Sequence, residues 1–184
     1  MKYIFLLILI ISSTIMNAQN QDPWDVYMSP SSIHSLFSQY TGSFKMEITM
    51  SMGEAKEPSI ITVSSEHVML LGGRFLEMKQ HGNMMGMDYQ SIITIGFNNT
   101  DKKMALTTIT NMGTGTLSLF GEWDEKTKTA TLFGQLTNPL TKGVIKVKQT
   151  VAFVNENIIL IESYDTEDDK SETKTVQYKL IRNK

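Results

Sequence analysis

Apolar and polar residues follow two different periods along this chain. Between Ser29 and Gly42, Ile33, Leu36, Phe37 and Tyr40 recur at i, i+3, i+4 and i+7, the spacing of one apolar stripe on a helix. Ser29 can cap that helix, Pro30 suits its first position, and Thr41-Gly42 stops it, so a helix over Pro30 to Tyr40 is predicted. Spanning only about three turns, it must dock on something larger. From Gly42 onward the period is two: Phe44, Met46, Ile48 and Met50 alternate with Lys45, Glu47, Thr49 and Ser51, as in a half-buried strand. Nine further runs follow at 59–69, 74–81, 89–97, 104–110, 116–123, 129–137, 144–154, 158–164 and 172–181, separated by short turns rich in Gly, Asn and Asp.

Roughly ten strands joined by hairpin-length turns, with no second helix to make a parallel crossover, predict an all-β antiparallel meander. Such a meander closes most readily into an up-and-down barrel, because closure removes exposed edges; a two-sheet sandwich is the alternative. The alternation assigns Met46, Ile48, Leu76, Met78, Ile93, Ile95, Leu117, Leu119, Val147, Val151, Val176 and Tyr178 to the interior. About eight strands enclose a space that side chains just fill, so ten leave room for a small ligand.

Residues 1–18 stand apart. Lys2, the unbroken apolar run Ile4 to Ile11 and the small or polar exit Ser12 to Ala18 read as a signal peptide cleaved after Ala18. The run is far shorter than the roughly 20 residues of a membrane span. The domain plan is therefore a signal peptide over 1–18, an arm and helix over 19–41, with Gln19 to Met28 as an exposed arm, and a barrel over 42–184. The protein is expected to be secreted or periplasmic, with no stable membrane span after cleavage.

Composition narrows the chemistry. The chain has no cysteine, which removes a lipid-anchored lipoprotein, a disulfide framework, a thiolate metal site and a cysteine nucleophile together. Without the leader, 16 basic residues face 19 acidic ones; mild acidity with no basic run argues against a nucleic-acid partner.

Several short motifs recur at turns: Trp24-x-x-Tyr27-Met28-x-Pro30, Leu71-Gly72-Gly73-Arg74-Phe75, Gly82-Asn83-Met84-Met85-Gly86-Met87, Gly96-Phe97-Asn98-Asn99, Asn111-Met112-Gly113-Thr114-Gly115 and Gly121-Glu122-Trp123-Asp124. In these the chain resembles a bacterial family known only as domain of unknown function 1579. The resemblance covers nearly all of the chain beyond the leader. It implies a barrel related to the calycins, which include the lipocalins and fatty-acid-binding proteins, and it implies no reaction. Two positions depart from the pattern: Gly42-Ser43-Phe44 stands where Gly-x-Trp is expected, and Asn111 where an Asp is frequent.

The candidate chemistry is sparse. Arg74 follows the Gly72-Gly73 pair, and its parity with Leu76 and Met78 points it inward, where it would anchor a ligand carboxylate or phosphate. An ion pair with Glu47, Glu77 or Glu122 is the structural alternative. His81 with Met84, Met85 and Met87 has donors a soft ion such as Cu(I) prefers, though methionines at a hairpin tip also fill irregular apolar gaps. His81 itself is expected to point outward, and His34 and His67 are scattered, so no metal or cofactor is expected. No catalytic motif is present. An enzyme would have to use Arg74 with Glu77, Tyr89 or Glu122. The expected function is non-enzymatic binding of a small apolar or amphipathic molecule, with Arg74, Leu76, Met78, Tyr89, Ile93, Ile95, Leu117, Leu119, Trp123 and Tyr178 as the ligand-facing set. A solid barrel working through its surface is the alternative.

Overall fold

The computed structural model describes residues 22–50, 59–167 and 171–184, so the proposed leader lies outside the described residues. Two short helices, α1 (Pro23–Met28) and α2 (Ser32–Ser38), precede ten strands: β1 (Gly42–Met50), β2 (Ser59–Leu70), β3 (Phe75–Met84), β4 (Met87–Phe97), β5 (Lys103–Thr110), β6 (Leu117–Asp124), β7 (Thr129–Thr137), β8 (Val144–Asn155), β9 (Ile158–Glu167) and β10 (Thr173–Arg182). Each strand pairs antiparallel with its sequence neighbours, and β1 also pairs with β10 from Phe44↔Arg182 to Met50↔Val176, closing the barrel. The sandwich alternative is thereby excluded.

The inward face follows the parity of the sequence. Met46, Ile48, Leu76, Met78, Ile93, Ile95, Leu119, Val147 and Val151 are buried in one contiguous cluster, and Leu117, Val176 and Tyr178 pack against it half-buried. Strand ends at 42, 70, 75 and 97 lie toward α2, whose Ile33, Phe37 and neighbouring Tyr40 enter the core. Phe37 stacks on Phe153 at 5.6 Å, and Tyr40 meets the same ring edge-on at 4.9 Å, so α2 plugs this end of the barrel.

The N-terminal segment departs from the sequence reading in two ways. Asp22 to Met28 is exposed as expected but is helical rather than irregular: Asp22 accepts a hydrogen bond from the Trp24 backbone N–H at 2.8 Å and starts α1 with Pro23 in its first turn. The next helix begins at Ser32 and is capped by Ser31, not Ser29. The reason is His34, a buried ring whose Nδ1 accepts the Ser31 backbone N–H at 3.0 Å. Both helices end against a guanidinium. Arg74 donates to the Met28 carbonyl, and Arg182 donates to the Thr41 carbonyl at 2.8 Å and to that of Gln39. Cations suit these positions, where helix carbonyls are left without intrahelical partners.

Close approach of backbones singles out β6. A Cβ added at Gly121 would lie 1.9 Å from the Thr131 carbonyl oxygen, and one at Gly134 would lie 2.4 Å from that of Ser118. Both contacts are with backbone, which no rotamer change relieves. Gly121→Ala is therefore expected to destabilise the barrel by about 3 kcal/mol, the upper end for overpacking. Urea melts read by tryptophan fluorescence measure this; superimposable curves for the two proteins would refute the crowding at β6.

Candidate functional site

Inside the barrel, polar side chains form a line through the aliphatic core. Tyr89 Oη donates to Ser91 Oγ at 3.1 Å, Ser91 Oγ to Gln80 Oε1 at 2.5 Å, and Gln80 Nε2 to Ser65 Oγ at 3.1 Å. Ser65 Oγ lies 2.8 Å from His67 Nε2, and His67 Nδ1 lies 2.9 Å from the Tyr40 carbonyl oxygen. Since that carbonyl can only accept, Nδ1 carries the proton, Nε2 accepts from Ser65, and all five bonds run in one direction. Inward parity on β2, β3 and β4 builds the line, because Ser65↔Gln80 and Gln80↔Ser91 are direct cross-strand partners. The His67 ring stacks on Phe44 at 4.1 Å and 8°, and burial holds its pKa down to about 4, so the imidazole is neutral.

Sequence reasoning took His67 only as one of the scattered histidines and did not see this line. The available signal was Ser65, His67, Gln80, Tyr89 and Ser91 all sharing the parity of apolar inward positions.

Beyond Tyr89 the barrel continues to the end opposite α2. Among the described residues, no helix crosses that end. Met50, Ile61, Met84, Leu117, Leu136 and Ile145 are half-buried there. The polar groups in this half are incompletely paired. Burial pushes the Tyr178 hydroxyl pKa well up, aided by nearby Tyr89 and Asp165, and among the described residues that hydroxyl has no hydrogen-bond partner. Gln149 donates weakly to Ser163 Oγ at 3.4 Å and leaves its Oε1 buried without a donor. Burial raises the Asp165 pKa; a hydrogen bond with the Thr175 side chain opposes the shift, and Glu167 adds to it.

The structure divides the expected ligand-facing set. Leu76, Met78, Ile95 and Leu119 are completely buried filler of the core, with Ile93 only 4% exposed. Tyr89, Leu117 and Tyr178 belong to the half opposite α2. Trp123 stands at the plugged end, edge-on to Phe153 at 5.9 Å, and donates through Nε1 to Glu125 at 2.7 Å.

Arg74 is misplaced by the parity argument. Leu71, Gly72 and Gly73 all have positive φ, and the Gly73 and Arg74 backbone N–H groups return to the Leu70 carbonyl. Arg74 thus belongs to this turn, not to β3, and alternation does not reach it. Its side chain is exposed outside the barrel, donating to Met28 and Leu71 carbonyls.

The carboxylates considered as its partners are engaged elsewhere: Glu47 with Lys45 at 2.7 Å, Glu77 with Lys79 at 2.9 Å and Glu122 with Lys103 at 3.4 Å. The enzyme constellation of Arg74, Glu77, Tyr89 and Glu122 is therefore not assembled. Met85 and Met87 are exposed at the β3–β4 hairpin tip, and among the described residues no three His, Asp or Glu side chains gather to hold a metal. Asn111 has a structural task that Asp could not complete: its Oδ1 accepts from the Gln90 N–H at 2.9 Å, and its Nδ2 donates to the Asp88 carbonyl at 3.0 Å.

Ten antiparallel strands in a closed ring, plugged at one end by a short helix, define an up-and-down β-barrel with a mostly filled interior. Residues 29–182 match the family described as protein of unknown function (DUF1579), and the chain belongs to that family. No curated protein matches. Among solved structures, a redesigned β-barrel is similar at 11% identity and a TM-score of 0.44, with 80% of this chain and 95% of that one covered.

His67 makes acid stability a test of the interior line. Above its ordinary value of 6.5 the imidazole is neutral whether the chain is folded or not. Below that, the unfolded state binds a proton that the folded state refuses until about pH 4. Stability should therefore fall by on the order of 3 kcal/mol as pH drops through this window. His67→Gln should flatten that fall in urea denaturation series; equal slopes for both proteins would contradict a buried neutral His67.

Proposed function

We propose that this protein is a non-enzymatic binder of a small apolar or amphipathic molecule, held in the half of the barrel opposite α2. The observation that carries this reading is Gln149 Oε1, buried without a donor in a half of the barrel whose apolar side chains are half-buried. Unpaired polar groups away from water are costly, and a ligand that pairs them recovers part of that cost. The half-buried Tyr178 hydroxyl, without a hydrogen-bond partner among the described residues, supports the same site, and Asp165 adds an acceptor near the rim. Small-molecule sites combine these traits: apolar walls with a few polar groups that fix orientation. Because Leu76, Met78, Ile95 and Leu119 already fill the lower barrel, the ligand is small and seated shallowly. Tyr89, Leu117 and Tyr178 are the expected members of the set that meet it.

The setting fits export. Lys2 with the Ile4 to Ile11 run supports a leader removed on the way to a secreted or periplasmic location. A cysteine-free barrel closed by hydrogen bonds needs no oxidising partner there.

Titration with N-phenyl-1-naphthylamine, a small apolar fluorophore, tests the site. Leu117→Glu should weaken binding at least tenfold by placing a charge in the half-buried ring. Native mass spectrometry of protein from its own host should show a retained small mass, and Tyr178→Phe should lower its occupancy with the melting temperature nearly unchanged. Equal probe affinity in Leu117→Glu, with no retained mass, would remove the binding reading.

A further inference from the structure

The outer wall of a barrel is normally its polar face, yet one cross-strand row here is apolar. Phe75 lies opposite Gly96, Gly96 opposite Ala105, Ala105 opposite Phe120, and Phe120 opposite Phe133, across five consecutive strands. Phe120 and Phe133 are 62% and 58% exposed. Between the aromatic positions, Gly96 and Ala105 supply almost no side chain, so the row is a trough. A Cβ at Gly96 would come within 2.8 Å of the Phe75 ring, which shows how closely that ring covers the strand. Under α1 the trough deepens into a recess of about 490 Å³, walled by Tyr27, Met28, Phe75, Phe97 and Phe120. That volume lies within the range of small-molecule sites.

Two polar features sit in the lining. Arg74 gives its hydrogen bonds to backbone carbonyls only, and among the described residues no carboxylate forms an ion pair with it. Its charge is therefore not neutralised where it borders the recess. Asn99, 5% exposed, donates through Nδ2 to the Val26 carbonyl at 3.0 Å and the Ser29 carbonyl at 2.7 Å. Those two acceptors fix the amide's orientation, and its Oδ1 is left buried with no donor.

Asp101, Lys103 and His34 also belong to the lining. Asp101 Oδ1 accepts the Lys103 backbone N–H at 3.0 Å, and the Lys103 ammonium is 3.4 Å from Glu122. His34 is held neutral, its pKa lowered by burial and by Arg74, against a hydrogen bond with the Phe97 backbone.

We propose that this recess is a second binding site, separate from the barrel interior, for a small anionic amphiphile. A planar guanidinium bordering an apolar trough matches a carboxylate head with a hydrocarbon or aromatic body. The stranded Asn99 oxygen selects a molecule with an N–H or O–H close to that head. An N-acyl amino acid has all three parts: the carboxylate faces Arg74, the amide N–H serves Asn99 Oδ1, and the acyl chain runs along Phe75, Phe120 and Phe133. The site needs no contribution from Tyr89, Leu117 or Tyr178, so it stands whether or not the barrel interior takes a ligand.

The test is isothermal titration of the folded protein with N-dodecanoylglycine below its micelle concentration, beside its methyl ester and dodecyltrimethylammonium. The acid should bind at least tenfold more tightly than the ester, and the cation should not bind. Phe120→Asp, which puts a carboxylate on the wall of the trough, should weaken the acid at least tenfold. Ile60→Asp, the same change at an exposed apolar position on the outer face of β2, should leave its affinity alone. Arg74→Gln should abolish the preference for acid over ester, and Phe120→Asp keeps the test valid if that variant loosens α1. Equal binding of acid and ester would overturn the anionic assignment. An unchanged affinity in Phe120→Asp, or no binding of the acid to the native protein, would overturn the site itself.

Discussion

A ring of ten hydrogen-bonded strands encloses more space than two facing rows of aliphatic side chains fill, and that surplus shapes this molecule. β1 pairs on both sides, with β2 and β10, so no strand edge remains where the sheet could shift to reduce its girth. The interior is filled from three sources. Aliphatic residues take the centre, α2 enters one end with Phe37 and Tyr40, and the line from Tyr89 to His67 occupies the space between β2, β3 and β4. Because Ser91, Gln80, Ser65 and His67 each accept one bond and donate another, the line is buried without a stranded polar atom of its own. This satisfaction makes a polar line tolerable in an apolar core.

The opposite half lacks such compensation. Tyr178, Gln149 and Asp165 share the inward parity of their strands with Leu180, Val147 and Ile161, but no second helix or polar chain completes their bonding among the described residues. The barrel is thus asymmetric along its axis: one end saturated by its own chain, the other chemically unfinished. The outer recess under α1 repeats the pattern on the surface, with Arg74 and Asn99 each tied to α1 by part of their hydrogen-bonding capacity. In both places the fold uses some functions of a side chain and leaves the remainder available.

The strands were legible because alternation is a local signal, and turns containing Gly, Asn and Asp mark its interruptions. The inward residues followed from parity alone, from Met46 on β1 to Tyr178 on β10. Arg74 shows where that logic stops. Three successive left-handed residues precede it, and parity counted through such a turn has no meaning. The N-terminal helices were blurred for a related reason: Ser29 and Ser31 are equally good caps in isolation, and the choice falls to His34, whose burial depends on Phe97 far along the chain. The recess was hidden because its parts come from α1, the turn before β3, the end of β4, and β5 and β6. No local pattern connects them.

The glycines on β6 and β7 give the barrel a shape that its connectivity does not reveal. Strands two apart in a flat sheet lie roughly 10 Å from one another, yet β5 and β7 approach within 8 Å across β6. The sheet is creased along β6, where Gly121 and Gly134 remove the side chains that would hold the layers apart. A crease presses a ring toward an ellipse, and an ellipse encloses less area than a circle of equal perimeter. By topology the molecule is a barrel, but along this fold line it borrows the geometry of two packed sheets. Girth and strand number are thereby uncoupled: a ring of ten strands need not be as wide as its count implies.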